Sequence, residues 1–343
     1  MSLEISFKDV IGREANLSFL DFIDENALTG QRILLTGAGG SIGSKIGLCI
    51  SRFKNVELLA TDRDENRLHS LSLDLMGSAL FNSSTFRILD VRDLPGIVNI
   101  FKDYQPTMVI HAAALKHLAI LEKQPREAYL TNVIGTDNLL KIASAEKVSR
   151  FLNISTDKAA NPVSVLGKSK YIGELLTAKY REIGNLGFTS VRFGNVFNSK
   201  GSVIETFAHQ IKKGIPITLT HKEVTRFFMQ IEEAASLSIS ASILNAGEVH
   251  ILNMGDPVLL VDIIHRMQKI LKGSSEIQIV GLREGEKLFE ELWSKNETVH
   301  ATAHPAIKAI SLNKKFQELP NLKQLIDNDQ EALRAINNLI SII

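Results

Sequence analysis

The sequence predicts an α/β protein built on a doubly wound parallel sheet. Three observations carry that expectation. Short apolar runs rich in β-branched residues alternate with longer helical patterns. The first five runs are almost continuously hydrophobic, as strands covered on both faces are. A glycine-rich loop closes the first run and opens the first helix.

In chain order the strands are "RILLTGA" (32–38), "VELLATD" (56–62), "TFRILDV" (85–91), "TMVIHAAA" (107–114), "RFLNIST" (150–156) and "FTSVRFGNV" (188–196). Helical patterns fill 41–53, 94–103, 126–147 and 164–184. Beyond about residue 197 the alternation weakens. Helices at 202–213, 231–245 and 259–271 mix there with short strands, "VHILN" and "IQIVGL". Ahead of the sheet, "FLDFIDENALTG" (19–30) reads as a short helix, and Met1–Leu3 is compatible with a cloning remnant. There is no internal repeat and no low-complexity tract.

The 343 residues, 44% hydrophobic, suffice for a sizeable core. Lys and Arg total 39 against 38 Asp and Glu, so charge gives no argument for nucleic acid or an anionic membrane. The single cysteine, Cys49, sits in an apolar helical pattern and reads as core. No signal-like run and no membrane-length apolar stretch is seen, so a soluble cytoplasmic protein without membrane insertion is expected. No His, Cys, Asp or Glu spacing suggests a metal site.

"TGAGGSIG" (36–43) carries Gly37, Gly40 and Gly43, with Ser41 and Ile42 between the last two. Glycines let a pyrophosphate approach the backbone and the helix N-terminus. The competing reading is a glycine turn needed only for packing. Asp62 ends the second strand, where a carboxylate accepts hydrogen bonds from a ribose 2′-hydroxyl. Arg63 follows it and is suited to a 2′-phosphate, but the carboxylate repels that group, so NAD is preferred to NADP. Asp90, ending the third strand, is read as an adenine contact or as a cap for the helix after it. The domains expected are an N-terminal extension (1–30), a Rossmann-type NAD-binding domain (31–196, with a return segment near 222–248) and a mainly substrate-binding part (197–343).

Six further stretches occur in order: "HAAALKHLAILEKQPREAYLTNVIGT" (111–136), "ISTDKAANP" (154–162), "VRFGNVFNSKGSVIETF" (191–207), "TRFFM" (225–229), "LREGEKLFEEL" (282–292) and, ahead of the sheet, "DVIGRE" (9–14). With the glycine loop they make residues 7 to 293 resemble the UDP-N-acetylglucosamine 4,6-dehydratases, extended short-chain dehydrogenases of polysaccharide and glycan biosynthesis. "DVIGRE" is similar to the segment that joins membrane helices to the catalytic domain in the long members, and the given chain has no such helices. The resemblance implies NAD as cofactor, UDP-N-acetylglucosamine as substrate and a homo-oligomer. It also implies cofactor contacts from Ser41, Ile42, Val91, Ala112 and Ala113.

Its chemistry would remove water across C5 and C6 of a hexose after oxidation at C4 has made the C5 proton acidic. Thr156-Asp157-Lys158 stands at the C-terminal end of the fifth strand, where open α/β sheets bind ligands. By the resemblance Asp157 is the acid, Lys158 the base and Thr156 the partner of O4. Acid and base each need a pKa moved toward neutrality. The plainer reading is a surface ion pair. Lys170 is expected to hold nicotinamide ribose hydroxyls, or to be a solvent-facing lysine. Asn132 is expected to support it, or to be a buried polar residue. Lys116 and His117 face the pyrophosphate or the substrate, with packing an equal reading for His117. His111 reads as a satisfied core histidine. Asn195, Lys200, Arg226 and Lys287 are the candidates for the UDP end. Arg192 is divided between that end and a structural role. "REGEKLFEEL" is substrate-binding or merely a polar helix entry.

One residue departs from the wider class. A tyrosine four places before the helical lysine is usual, and position 166 is Leu. Long members of the family commonly have Met there, so the loss does not mark a dead enzyme. Tyr171 is no substitute, since one helical step turns it about 100° away. Two alternatives remain: a UDP-sugar 4-epimerase or reductase, which needs that tyrosine, and a silent NAD- or nucleotide-sugar-binding regulator.

Overall fold

The computed structural model describes residues 5–15, 24, 26–78 and 85–343. The expected helix at 19–30 lies mostly outside these residues, and 26–30 form a turn. The sheet begins with β1 (Arg32–Thr36), β2 (Glu57–Asp62), β3 (Phe86–Ile88), β4 (Met108–His111), β5 (Arg150–Ile154) and β6 (Gly187–Arg192). Their order is β3-β2-β1-β4-β5-β6, all pairs parallel, with Leu34 opposite Leu59 on one side and Val109 on the other. The order reverses between β1 and β4, which opens a crevice at the C-terminal ends of those strands.

The third predicted strand is shorter than its apolar run, because the chain leaves the sheet at Leu89. The helix expected over 126–147 is present with an unexpected inner stretch. Residues Tyr129–Ile134 are wound as π-helix between Pro125–Ala128 and Gly135–Ala145. Such local widening is common at functional sites.

The expected division at residue 197 does not follow the layers. Strand Val249–Leu252 pairs parallel with β6, and Ile307–Ser311 and Thr298–Ala301 extend the sheet antiparallel to nine strands. The return helix is Ile231–Leu244, which packs on helix Ser41–Ile50 and shares a core with it through Ala234, Ala235, Leu237, Ile239 and Ala241. Helix Asp329–Ser341, capped by Asn328, packs on helix Val165–Gly184. Two apolar cores therefore cover the two faces of one sheet. Cys49 is buried in one of them.

A third core belongs to the smaller lobe. It gathers Phe197, Phe207, Ile217, Phe228 and Ile264, and also Phe7, Val10 and Ile11 from the N-terminal segment. That segment is held by Arg266, which donates to the carbonyls of Val10 and Ile11, and by Arg13, which pairs with Glu233 at 3.0 Å. Residues 7–13 of the N-terminal extension are thus packed against the rest of the chain. No helix among the described residues is long and apolar enough to cross a membrane.

Candidate active site

A cavity of about 830 Å³ runs from the crevice into the cleft between sheet and smaller lobe. Its floor begins at the glycine loop. Gly37 has φ +68, and a Cβ there would lie 2.5 Å from the Ala113 nitrogen. A Cβ on Gly43 would lie 2.1 Å from the Gly37 carbonyl. Packing therefore requires both glycines, and the same loop with Gly40, Ser41 and Ile42 lines the cavity. The two readings of the loop are compatible. The N–H groups opening helix Ser41–Ile50 have no acceptor within the helix, which suits an anion.

Asp62 is 8% exposed. One of its oxygens accepts the Gly39 N–H at 2.9 Å and the other the Asp64 N–H at 3.0 Å. The carboxylate is thereby fixed at the cavity wall beside Arg63 and Arg67. Asp90, Val91, Ala112 and Ala113 also line the cavity. Asp90 is not the helix cap; Asp93 stands at that position. Burial raises the Asp90 pKa, but the Arg92 guanidinium and N–H that it accepts outweigh burial and hold it below its ordinary value.

A second loop closes over the first. The Lys200 N–H donates to Ser41 Oγ at 3.1 Å, and Lys116 Nζ donates to the Lys200 carbonyl at 2.7 Å. Gly201 has φ +69, and a Cβ there would come within 2.6 Å of the His117 ring. His117 packs against this loop and lines the cavity as well.

The catalytic candidates come from the turn after β5. Thr156 caps a short 3₁₀ turn, Asp157–Ala159. Its hydroxyl donates to Asp157 Oδ1 at 2.8 Å, and Lys158 Nζ donates to the same oxygen at 3.0 Å. Thr156 and Lys158 line the cavity, but Asp157 does not: it is 0% exposed. Gly194 makes room for it, since a Cβ there would lie 2.8 Å from Asp157 Oδ2. Gly167 does the same for the following helix, where a Cβ would meet the Lys158 carbonyl at 2.5 Å.

The expectation that the Lys158 pKa moves toward neutrality is corrected. Burial lowers it, but Asp157 and then Glu290, whose Oε1 lies 3.2 Å away, outweigh burial and raise it above its ordinary value. The lysine brought near neutrality is Lys170. It is 5% exposed, lines the cavity, and desolvation lowers its pKa to about 8 against the smaller opposing effect of Glu174. A lysine whose folded pKa lies below its unfolded value costs stability while both states are protonated. That cost is full below about pH 8 and disappears as pH rises to 10.5. Lys170→Met should therefore stabilise the ligand-free protein at neutral pH, by on the order of 3 kcal/mol. The gain should shrink as pH climbs toward 10.5; urea unfolding across that range checks both the sign and the window.

Leu166 lines the cavity and no tyrosine does, among the described residues; Tyr171 packs against the core instead. Asn132 is buried outside the cavity lining. It exchanges two hydrogen bonds with the Leu115 backbone and donates to Ser169 Oγ at 3.1 Å, so it braces the neighbours of Lys170 and Lys116. His111 is the satisfied core histidine expected, bonded to Thr36 and Thr136.

At the other end Asn195, Lys200 and Arg226 line the cavity, and Lys287 does not. The Lys287 carbonyl instead accepts from Arg226 at 2.9 Å. The side chains that "REGEKLFEEL" presents to the cavity are Arg283, Glu286 and Glu290, all missed by sequence reasoning. The stretch is irregular and enters no helix, so no periodicity in the sequence marks these three side chains. Arg192 is structural: it is 0% exposed and pairs with Glu174 at 2.6 Å and Glu297 at 2.7 Å. No cluster of three His, Cys, Asp or Glu able to hold a metal exists among the described residues.

Comparison with known proteins bears on the family and the fold. The chain is 39% identical over 306 residues to the probable polysaccharide biosynthesis protein EpsC of Bacillus subtilis (strain 168), covering 87% of this chain and 50% of that one. It thus spans about half the length of that relative. It is 34% identical over 283 residues to a UDP-glucose 4-epimerase of Rickettsia rickettsii, covering 79% and 80%. Among solved structures, Pen from Bacillus thuringiensis matches with a TM-score of 0.72 and 30% identity over 82% of this chain and 89% of that one. The Thermus thermophilus UDP-glucose 4-epimerase in complex with NAD has a TM-score of 0.65 at 22% identity, covering 76% and 90%, and speaks for the fold alone. The fold is that of the extended short-chain dehydrogenases. A model described as polysaccharide biosynthesis protein matches residues 33–312, and the chain belongs to that family.

Proposed function

We propose that this chain is an NAD-dependent UDP-N-acetylglucosamine 4,6-dehydratase that yields a 4-keto-6-deoxy sugar nucleotide. One observation carries the reading. The cavity wall presents Lys158, flanked by two carboxylates, and carries leucine where a phenol would act on O4. An epimerase has no use for an added acid and base at C5 and C6, whereas elimination of water requires both. The Rickettsia relative named as an epimerase keeps that second reading in the test.

The glycine loop, the helix start at Ser41 and Asp62 fit a dinucleotide: the loop is free of side chains that would fill it, and the carboxylate is fixed by two amides. A bound nicotinamide supplies a reversible hydride acceptor. Lys170, at the cavity wall, would hold ribose hydroxyls. Lys158 would pass its own proton to Asp157 Oδ1, 3.0 Å away, and the neutral amine would then take the C5 proton at Nζ. Asp157, so protonated, would relay that proton through the Thr156 hydroxyl, 2.8 Å from its Oδ1, to the departing C6 oxygen. Lys116, Asn195, Lys200 and Arg226 are suited to the UDP end.

Incubating the protein with UDP-N-acetylglucosamine and following the sugar by NMR tests the reading. Loss of one water supports it. A C4 epimer would establish the epimerase instead, and unchanged sugar would leave a binding protein. Asp62→Ala should weaken NAD more than NADP, as measured by titration of both. Preferential binding of NADP by the unaltered protein would assign the position to Arg63.

A further inference from the structure

We propose that Glu290 is a positioning residue for Lys158, clamping its amine across the cleft from the smaller lobe and governing its protonation. The inference rests on the dehydratase reading for its catalytic consequence, but not for the clamp itself.

Glu290 reaches Lys158 from a segment more than 130 residues away in sequence. Its Oε1 is 3.2 Å from Lys158 Nζ and 3.9 Å from Arg226 Nε. Asp157 approaches the same ammonium at 3.0 Å. The four groups form a chain, Asp157–Lys158–Glu290–Arg226, linking the turn after β5 to the cation at the substrate end. Arg226 fixes the segment that carries Glu290: it donates to the carbonyls of Lys287 and Leu288 and to Glu286. Glu290 is thereby held with little freedom of its own.

Burial distinguishes this clamp from an ordinary ion pair. Glu290 is 8% exposed and lines the cavity, and its Oε2 is buried without a hydrogen-bond partner. A carboxylate built for stability alone would have both oxygens satisfied. The charged groups that face Lys158 are Asp157 on its own turn, Glu290 on the segment and Arg226 on strand Thr225–Arg226. The two carboxylates favour the ammonium and Arg226 opposes it. Removing the Glu290 charge must therefore make Lys158 release its proton at lower pH.

Competitive acetylation with acetic anhydride from about pH 6 to about pH 12 reads this directly, because only neutral amines react. The Lys158 peptide is quantified by mass spectrometry, with exposed Lys213 as internal reference. In Glu290→Gln the Lys158 midpoint should fall by about one to three pH units, while Lys213 stays put. The acidic limb of the pH profile for product formation should move in the same direction. Glu290→Asp keeps the charge at a greater distance and should give a smaller shift of the same sign, which carries the test if Glu290→Gln does not fold. An unmoved Lys158 midpoint in a folded variant overturns the proposal. Absence of dehydrated product from the unaltered protein would instead overturn the dehydratase reading, and the labelling result would still decide the clamp.

Discussion

Lys158→Ala is expected, on the proposed dehydratase reading, to lose about 10²- to 10⁴-fold of turnover, the usual contribution of a general base, while still binding NAD and the UDP-sugar. The side chain is 19% exposed, so it meets both the cavity and the buried Asp157. Removing it deletes the amine but leaves the glycine loop, Asp62 and Arg226 unaltered. Oxidation at C4 precedes the work of the base, so the variant should still reduce NAD in one half-reaction. Solvent deuterium should then fail to enter C5, and no 4-keto-6-deoxy product should form. Asp157→Asn should behave differently: exchange at C5 persists and water leaves slowly. A deuterium-exchange and product time course on both variants, with folding checked by circular dichroism, separates the two roles. Near-normal turnover in Lys158→Ala would remove this lysine from the mechanism.

Arg192→Leu should destabilise the protein by about 3–5 kcal/mol, the effect of breaking a buried ion pair by removing one partner. Arg192 lies wholly buried between Glu174 and Glu297. Burial lowers its pKa, but the two carboxylates together outweigh burial and raise it. Without the guanidinium, Glu174 is left at 0% exposure with Ser155 as its remaining donor, 2.5 Å away. Ser155 precedes Thr156, so the disturbance should reach the catalytic turn. Replacing Arg192, Glu174 and Glu297 together by apolar residues of similar volume should recover most of the loss. Urea unfolding of the single and triple variants checks this; equal destabilisation in both would mean that the site depends on volume rather than on charge.

Much of this fold was legible because parallel strands buried on both faces leave an unmistakable pattern. β1, β4 and β5 are such runs, and the glycine loop after β1 named its own neighbour in space. The site was legible where residues near in sequence act together, as in Thr156-Asp157-Lys158. It was not legible where burial decides. A 3₁₀ turn points Asp157 inward and Lys158 outward, and spacing alone does not tell them apart. The carboxylate that completes the Lys158 pair comes from residue 290, whereas the neighbouring cation Lys287, which the resemblance assigns to the UDP end, does not line the cavity. The backbone of Lys287 holds Arg226, while Glu286 and Glu290 face the cavity. The π-helical stretch around Asn132 has no sequence signature at all, since its residues are ordinary helix and core residues.

The strands that complete the sheet have a consequence for how the protein is made. β6 gains its outer neighbour from residues 249–252, and that strand is covered in turn only by residues 307–311. Residues 187–192 are synthesised well before residues 249–252, and until those arrive β6 would be an edge without its outer neighbour. Such an edge invites pairing with other chains. Residues 249–252 and 307–311 therefore act as a seal on that edge, and their later synthesis prolongs the time for which β6 would stand uncovered.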